Sequence, residues 1–562
     1  MSLNIAETKY GRLLSAEEEG VRVFRGVPFA MPPIGDRRFR PPASLEPWSG
    51  DRDATRHGAA SWQVNTTNQA RVLDFLKQIG GDKAPGAKNS PPFSSITYFQ
   101  PLVSEDCLYL DIWTPAQTSD AALPVYVYYH GGANAGSAGS MSLERGARLA
   151  REEGVIVVRP SYRLGALGWV HFGLVCDALS DAVNLGLQDQ MAALQWVHEN
   201  IESFGGDPDN ITIGGESAGA TAVSHLITNP ASRGLFKRAI IQSLSPFNQW
   251  CTQDRQEAAS VAQLYLQILG IQDESQLRDI DPDRLLAVNL ALVPFFEANK
   301  NCAWRPLGGV VDHNLIPEQP AKFLSGATLP ADLDLLIGFA KDEWQFFRGH
   351  TETYRSGSAD QALAVLAQAF GADEAKALFA KFSQIMANPM PAEVLSEVMS
   401  FEFFKYSSLK IAANVAEQGG RARVFQFAFD LPGQGGYLKA FHTGDMPFIW
   451  RNYDAADLKR WPAFEGVDIS EVQASSDKFG RLYGAFIRDG EPGPDWPTYD
   501  LENQTILNFG REVEPKNHLL ADELRAFEAT GVESVVELER RLVANTRASL
   551  NCTPRALAAH RF

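Results

Sequence analysis

The join at residues 210–221, where the apolar stretch NITIGG runs into ESAGAT, constrains this chain more than any other feature. Ile211 and Ile213 read as a buried strand, and the run from Ala218 reads as a helix closed near Asn229-Pro230. Ser217 falls on the turn between them. Gly215 and Gly219 leave room for strand and helix to pack across a tight turn that exposes the hydroxyl, and the helix N-terminus favours negative charge developing beside it. Alone, G-x-S-x-G fits any solvated turn serine. Between a strand and a helix it fits a nucleophile, and that chemistry demands an oxyanion hole upstream and an acid and a histidine downstream.

Other apolar runs repeat the alternation. LPVYVYY (123–129) precedes HGGANAGSAG, and GVIVV (154–158) precedes RPSYRLGALG. Leu187, Met191, Leu194, Val197 and Ile201 then keep helical spacing up to the stop at Gly205-Gly206. LDLLIGFA (333–340) and ARVFQFAF (422–429) read as two more strands, separated by a largely helical stretch. Short apolar strands alternating with helices predict an α/β chain with a mostly parallel sheet flanked by helices.

In such sheets the reactive residues follow the carboxyl ends of strands. After LPVYVYY come His130, Gly131, Gly132 and Ala133, small residues whose N–H groups are free to face an oxyanion. After LDLLIGFA come Asp342 and Glu343, either of which fits the acid. A loop after ARVFQFAF leads to His442. The order serine, acid, histidine is that of α/β-hydrolases.

Composition narrows the partners. The net charge of -17 repels phosphate backbones and anionic membrane surfaces, so nucleic acid is not expected as a partner. No apolar run approaches the roughly 18 residues of a membrane span, and the start MSLNIAETKYGRLL lacks a secretory pattern. A cytoplasmic location is expected, with secretion the alternative if a leader has been removed. The five cysteines form no C-x-x-C pair and no zinc-like spacing with histidine, so they read as reduced structural thiols. The stretch IGGDKAPGAKNSPPFSS (79–95) reads as a mobile surface loop. The residues set no oligomeric state.

The chain resembles the type B carboxylesterases of the carboxylesterase/cholinesterase family, from about residue 8 to about 545. The likeness is carried by FRGVPFAMPPIGDRRFRPP, SEDCLYLDIW, YYHGGANAGS, NLGLQDQMAALQWVHENIESFGGDPDNITIGGESAGA, PLGGVVDHNLIP, GFAKDEWQFF and AFHTGDMPFIW, all in family order. It implies one α/β-hydrolase catalytic domain over 1–562, with helical insertions around an active-site gorge and a helical lid or regulatory region near 346–420. It further implies Ser217 as nucleophile, Glu343 as triad acid and His442 as base. Gly132, Ala133 and Ala218 become the backbone oxyanion donors, and Glu216 and Ser243 match positions that support the triad from behind.

Three departures stand out. Ala133 replaces a third glycine, Trp344 follows the acid where relatives usually carry glycine, and Leu244 interrupts a customary Ser-Gly-Ser. Cys107 has no cysteine before it, so the disulfide that secreted relatives form there has no partner.

The resemblance implies hydrolysis of small-molecule carboxylic esters through an acyl-enzyme, with no metal or organic cofactor. Amide hydrolysis or acyl transfer on the same framework is the alternative. A non-catalytic cholinesterase-like binding protein would need a damaged triad, and every part is present. Counted back from the family-like GGVVDHNLIP, the stretch that lines the acyl side in relatives falls near Trp304 and Arg305; the resemblance thus implies a guanidinium beside the acyl group, which would favour esters of di- or polycarboxylic acids.

Overall fold

The computed structural model describes residues 4–80, 102–244, 252–273, 275–298, 307–319, 329–330, 332–349, 351–453 and 461–531. Trp304, Arg305 and residues 81–95 of the predicted loop lie outside the described residues, as do Cys251, Cys302 and Cys552. One eleven-stranded mixed sheet organises the rest. At one edge β1 (Ala16–Glu18) and β2 (Val21–Pro28) form a hairpin, and β3 (Tyr109–Thr114) extends it antiparallel. The centre holds β4 (Leu123–Tyr129), β5 (Ile156–Pro160), β6 (Gly206–Glu216) and β7 (Arg238–Gln242). It continues through β8 (Asp334–Ala340), β9 (Arg421–Phe427) and β10 (Ile506–Phe509), all parallel, until antiparallel β11 (Val513–Lys516) closes the far edge. The spatial order is β11-β10-β9-β8-β7-β6-β4-β5-β3-β2-β1.

The central strands are apolar throughout because both faces are covered. Along β4, Val125, Val127 and Tyr129 enter one core while Tyr126 and Tyr128 enter the other. Along β8, Leu335, Ile337 and Phe339 face the first and Leu336 and Ala340 the second. The two-residue period of a strand divides an unbroken apolar run between two layers. On the first side lie α1 (Leu185–Asn200) and α2 (Ala218–Thr228). Leu187, Met191, Leu194 and Val197 supply the buried stripe of α1, and Gly205 takes the left-handed conformation after it, at φ 84°.

Helices also fill the stretch between β8 and β9: α3 (Ala359–Phe370), α4 (Ala372–Ile385), α5 (Pro391–Ser400) and α6 (Tyr406–Glu417). A π-helical turn, Phe401–Lys405, joins α5 to α6 without a break. On the second side, α7 (Ile469–Asp489) buries Phe479, Tyr483 and Phe486.

The short pairing of Gly11–Leu14 with Ile5–Thr8 on one side and Asp51–Asp53 on the other was not evident from the sequence, whose period there is weak. Cys107 is a free, buried thiol, and Cys176 is buried as well. Among the described residues no helix is long and apolar enough to cross a membrane.

The chain leaves β4 for β5 on one side and returns to β6 on the other. Such a reversal, at the carboxyl ends of β4 and β6, is the usual place for a ligand in an open α/β sheet.

Candidate active site

Both strands end in unusual backbone. Ser217, directly after β6, has φ 55° and ψ −120°, a strained pair for a residue with a side chain. Its N–H donates to the carbonyl of Gln242 at the end of β7, 3.0 Å away. Close packing forces the turn: a Cβ on Gly219 would stand 2.0 Å from Tyr129 O, and one on Gly215 would stand 2.4 Å from the Gly219 backbone. Glu216 is buried, whereas Ser217 and Ala218 are partly exposed. The strand therefore ends by presenting the serine.

After β4, Gly132 (φ 102°), Ala133 (φ 53°) and Asn134 (φ 58°) occupy the left-handed region in succession. Gly132 O accepts from Ala135 N at 2.9 Å and Gly136 N at 3.2 Å, so the carbonyl of this peptide turns into the loop. No described residue accepts from the N–H of Gly132, Ala133 or Ala218. A side chain on Gly131 would meet the Glu216 carboxylate at 2.6 Å and Ser217 Cβ at 3.2 Å, which places this loop directly against the serine turn. His130 is a core residue: it stacks on Tyr162 at 4.3 Å, and burial lowers its pKa to about 3.

His442 follows β9 on a buried loop. Its Nδ1 lies 2.6 Å from Glu343 Oε2, and Glu343 is fully buried. The other oxygen, Glu343 Oε1, accepts from Ala340 N at 2.7 Å, which leaves Oε2 for the imidazole. Asp342 turns elsewhere: its N–H donates to Ala440 O at 2.8 Å and its Oδ2 accepts from Ala440 N at 3.4 Å, tying down the loop that leads to His442. Phe347 and Phe404 lie 5.1 Å from the imidazole and Phe346 lies 5.5 Å away. Phe404 reaches it from the π-helical turn.

His442 Nε2 stands 3.1 Å from Glu216 Oε1, within ion-pairing distance though not aligned as a hydrogen bond. Ser217 Oγ makes no hydrogen bond to a described residue. Burial alone would lower the histidine pKa, but the charges of Glu216, Glu343 and Asp445 outweigh it and push it above the ordinary value. Burial raises Glu216 in turn.

Asp445 was not foreseen, because nothing in HTGD marks it as buried. Burial pushes its pKa up to about 7, and its Oδ2 accepts from Gln242 Nε2 at 3.3 Å. Gln242 Oε1 accepts in turn from Tyr483 OH at 3.0 Å. Ser243 also has φ 51°; its N–H donates to Gly338 O at 2.7 Å, while its buried hydroxyl has no described partner. Trp344 is buried against Phe347 and Phe403, and Leu244 is fully buried. Among the described residues no cluster of three or more His, Cys, Asp or Glu is placed to hold a metal ion.

Comparison with known proteins agrees with this architecture. The sequence model of the Carboxylesterase family matches residues 2–527. The chain is 33% identical over 527 residues to para-nitrobenzyl esterase of Bacillus subtilis, covering 92% of this chain and 97% of that protein. It is 31% identical to phenmedipham hydrolase of Pseudarthrobacter oxydans, over 90% of this chain and 95% of the relative. Among solved structures, a Geobacillus stearothermophilus carboxylesterase aligns with TM-score 0.76 and 30% identity, covering 93% of this chain and all of that one. With an α/β-hydrolase sheet and relatives matched nearly end to end, the chain belongs to the carboxylesterase family of serine carboxylic ester hydrolases.

Proposed function

We propose that the chain hydrolyses small-molecule carboxylic esters through an acyl-enzyme on Ser217, with His442 as general base and acid and Glu343 as the residue that orients it. The observation that carries this reading is the 2.6 Å contact between His442 Nδ1 and buried Glu343 Oε2, beside the partly exposed serine turn. Nδ1 committed to a carboxylate leaves Nε2 to exchange protons with the serine and the leaving group.

Ser217 Oγ attacks the ester carbonyl as its proton passes to His442 Nε2. The imidazole swings from Glu216 toward the hydroxyl to do so, since catalytic hydrogen bonds often tighten only with substrate bound. The negative oxygen of the tetrahedral intermediate accepts from the unpaired N–H groups of Gly132, Ala133 and Ala218. His442 then protonates the departing alkoxide, and water repeats the sequence on the acyl-enzyme to release the acid. Glu216 and Ser243 frame the turn from behind.

A fluorophosphonate tests the assignment. One label per chain at Ser217, and loss of ester turnover in Ser217→Ala, are expected; a label elsewhere overturns it. Para-nitrobenzyl esters and phenmedipham, for which two relatives are named, are the first compounds to assay.

A further inference from the structure

The loop that presents Gly132 and Ala133 is gripped by a side chain from far away in the sequence. Gln63 Oε1 accepts from Ser137 N at 2.9 Å, and Gln63 Nε2 donates to Ser137 O at 2.8 Å. One side-chain amide thus satisfies both backbone groups of Ser137, as a neighbouring strand would. The amide and its backbone are themselves held: Nε2 also donates to Ser61 O at 3.1 Å, and Asn68 Nδ2 donates to the backbone carbonyl of Gln63 at 3.0 Å.

The loop needs such a grip. Gly132, Ala133, Asn134 and Ser137 all have positive φ, three of them with side chains that disfavour that region. Asn134 O accepts from Gly165 N at 2.7 Å, and beyond the loop's crown Gly139 N donates to Ser161 Oγ at 3.0 Å. Asn134 Nδ2 also donates to Leu307 O at 3.4 Å and Arg159 Nη2 to Ala138 O at 3.3 Å, while from Ala135 through Ser137 the described hydrogen bonds to distant parts of the chain are those of Gln63.

Its hold reaches the reaction site through one rigid peptide. Gly136, the neighbour of Ser137, donates to Gly132 O at 3.2 Å, and a Cβ on Gly132 would stand 2.1 Å from Gly136 O. The carbonyl of Gly132 and the N–H of Ala133 belong to the same planar, trans unit, so fixing the oxygen on one side aims the N–H on the other. We infer that Gln63 is a positioning residue of the oxyanion hole, holding residues 136–137 so that the 132–133 peptide keeps its N–H turned toward the reacting oxygen. The inference rests on Gly132 and Ala133 acting as oxyanion donors.

The test compares Gln63→Leu, which keeps an apolar stem and removes the amide, with Gln63→Glu, which keeps the acceptor and loses the donor. Both are measured for kcat, KM, thermal melting and inhibition by a trifluoromethyl ketone. In the ketone adduct Ser217 Oγ bonds to the carbonyl carbon, its proton passes to His442, and the carbonyl oxygen becomes the anion that the hole binds. A mis-aimed donor should lower kcat by about 10- to 100-fold with KM little changed. Affinity for the ketone should fall in parallel, and fluorophosphonate should still label Ser217, more slowly.

A folded Gln63→Leu with wild-type kcat overturns the inference, as does a fall in kcat without weaker ketone inhibition. If Gln63→Leu does not fold, Gln63→Glu carries the same comparison; failure of both to fold replaces the positioning role with a purely structural one. Labelling of the wild-type chain away from Ser217 overturns the underlying triad, and the role of Gln63 with it, on a separate sample.

Discussion

His442 Nε2 faces Glu216 Oε1 across 3.1 Å, so the nitrogen proposed to take the serine proton rests beside a carboxylate. That charge raises the histidine pKa, and only the neutral imidazole can act as base. The acid limb of the kcat/KM profile should therefore lie above the ordinary histidine value of about 6.5. In Glu216→Gln the limb should move to lower pH, because a cause of the raised pKa is gone. A limb that stays in place, or moves up, removes Glu216 from the electrostatics of the base.

Glu343→Gln should lose about 10⁴ in kcat, as expected when a triad loses its orienting carboxylate. Asp342→Asn should lose far less, since that side chain braces Ala440 rather than the imidazole. Rates of both folded variants on one ester check the ranking; the reverse order assigns the acid to Asp342.

Glu402, on the π-helical turn, is buried, its Oε2 has no partner among the described residues, and burial raises its pKa to about 7. A raised carboxyl pKa favours the protonated native form, so its contribution is intact below the unfolded value and is lost as pH rises toward 7. Ionising the unfolded chain first costs the native state on the order of 3 kcal/mol at pH 8, at about 1.4 kcal/mol per pKa unit. Glu402→Gln should thus raise the denaturant midpoint clearly at pH 8 and little at pH 4. Equal shifts at both pH values would point to packing instead.

Arg305 is proposed to face the acyl group. The preference for a carboxylate-bearing acyl ester over a neutral one of similar size should fall about tenfold or more in Arg305→Ala, for a charge-assisted bond of about 1.5–3 kcal/mol. An unchanged ratio of kcat/KM values places the guanidinium away from the substrate.

Much of this fold could be read from the chain because its central strands are buried on both faces and so stand out as short apolar runs. Ile156–Pro160, Asp334–Ala340 and Arg421–Phe427 each fall within two residues of a run visible in the sequence. The edge pieces were silent, since Ala16–Glu18 and Val513–Lys516 are short and partly exposed. Residue chemistry brought Ser217 and His442 forward but left Asp342 and Glu343 equivalent. The family resemblance chose Glu343, and the side-chain directions agree, Glu343 meeting the imidazole and Asp342 meeting Ala440. The Gln63 contact spans 74 residues and uses an ordinary amide on an ordinary backbone pair, so no local pattern announces it. The rings around His442 were hidden for another reason: a π-helical turn delivers Phe404, and its widened backbone leaves no period to detect.

Ser217 follows β6, Glu343 follows β8 and His442 follows β9, the last two 99 positions apart. On the proposed triad, the chain carries its serine through synthesis and folding before it can use it. Until β8 and β9 have docked in register, Ser217 lacks the acid and base that would activate it, and hydrolysis waits on the last of them. An ester that becomes fluorescent on cleavage would time the completion of the sheet, and a burst of activity trailing the gain of helical signal would mark the docking of its last catalytic strand.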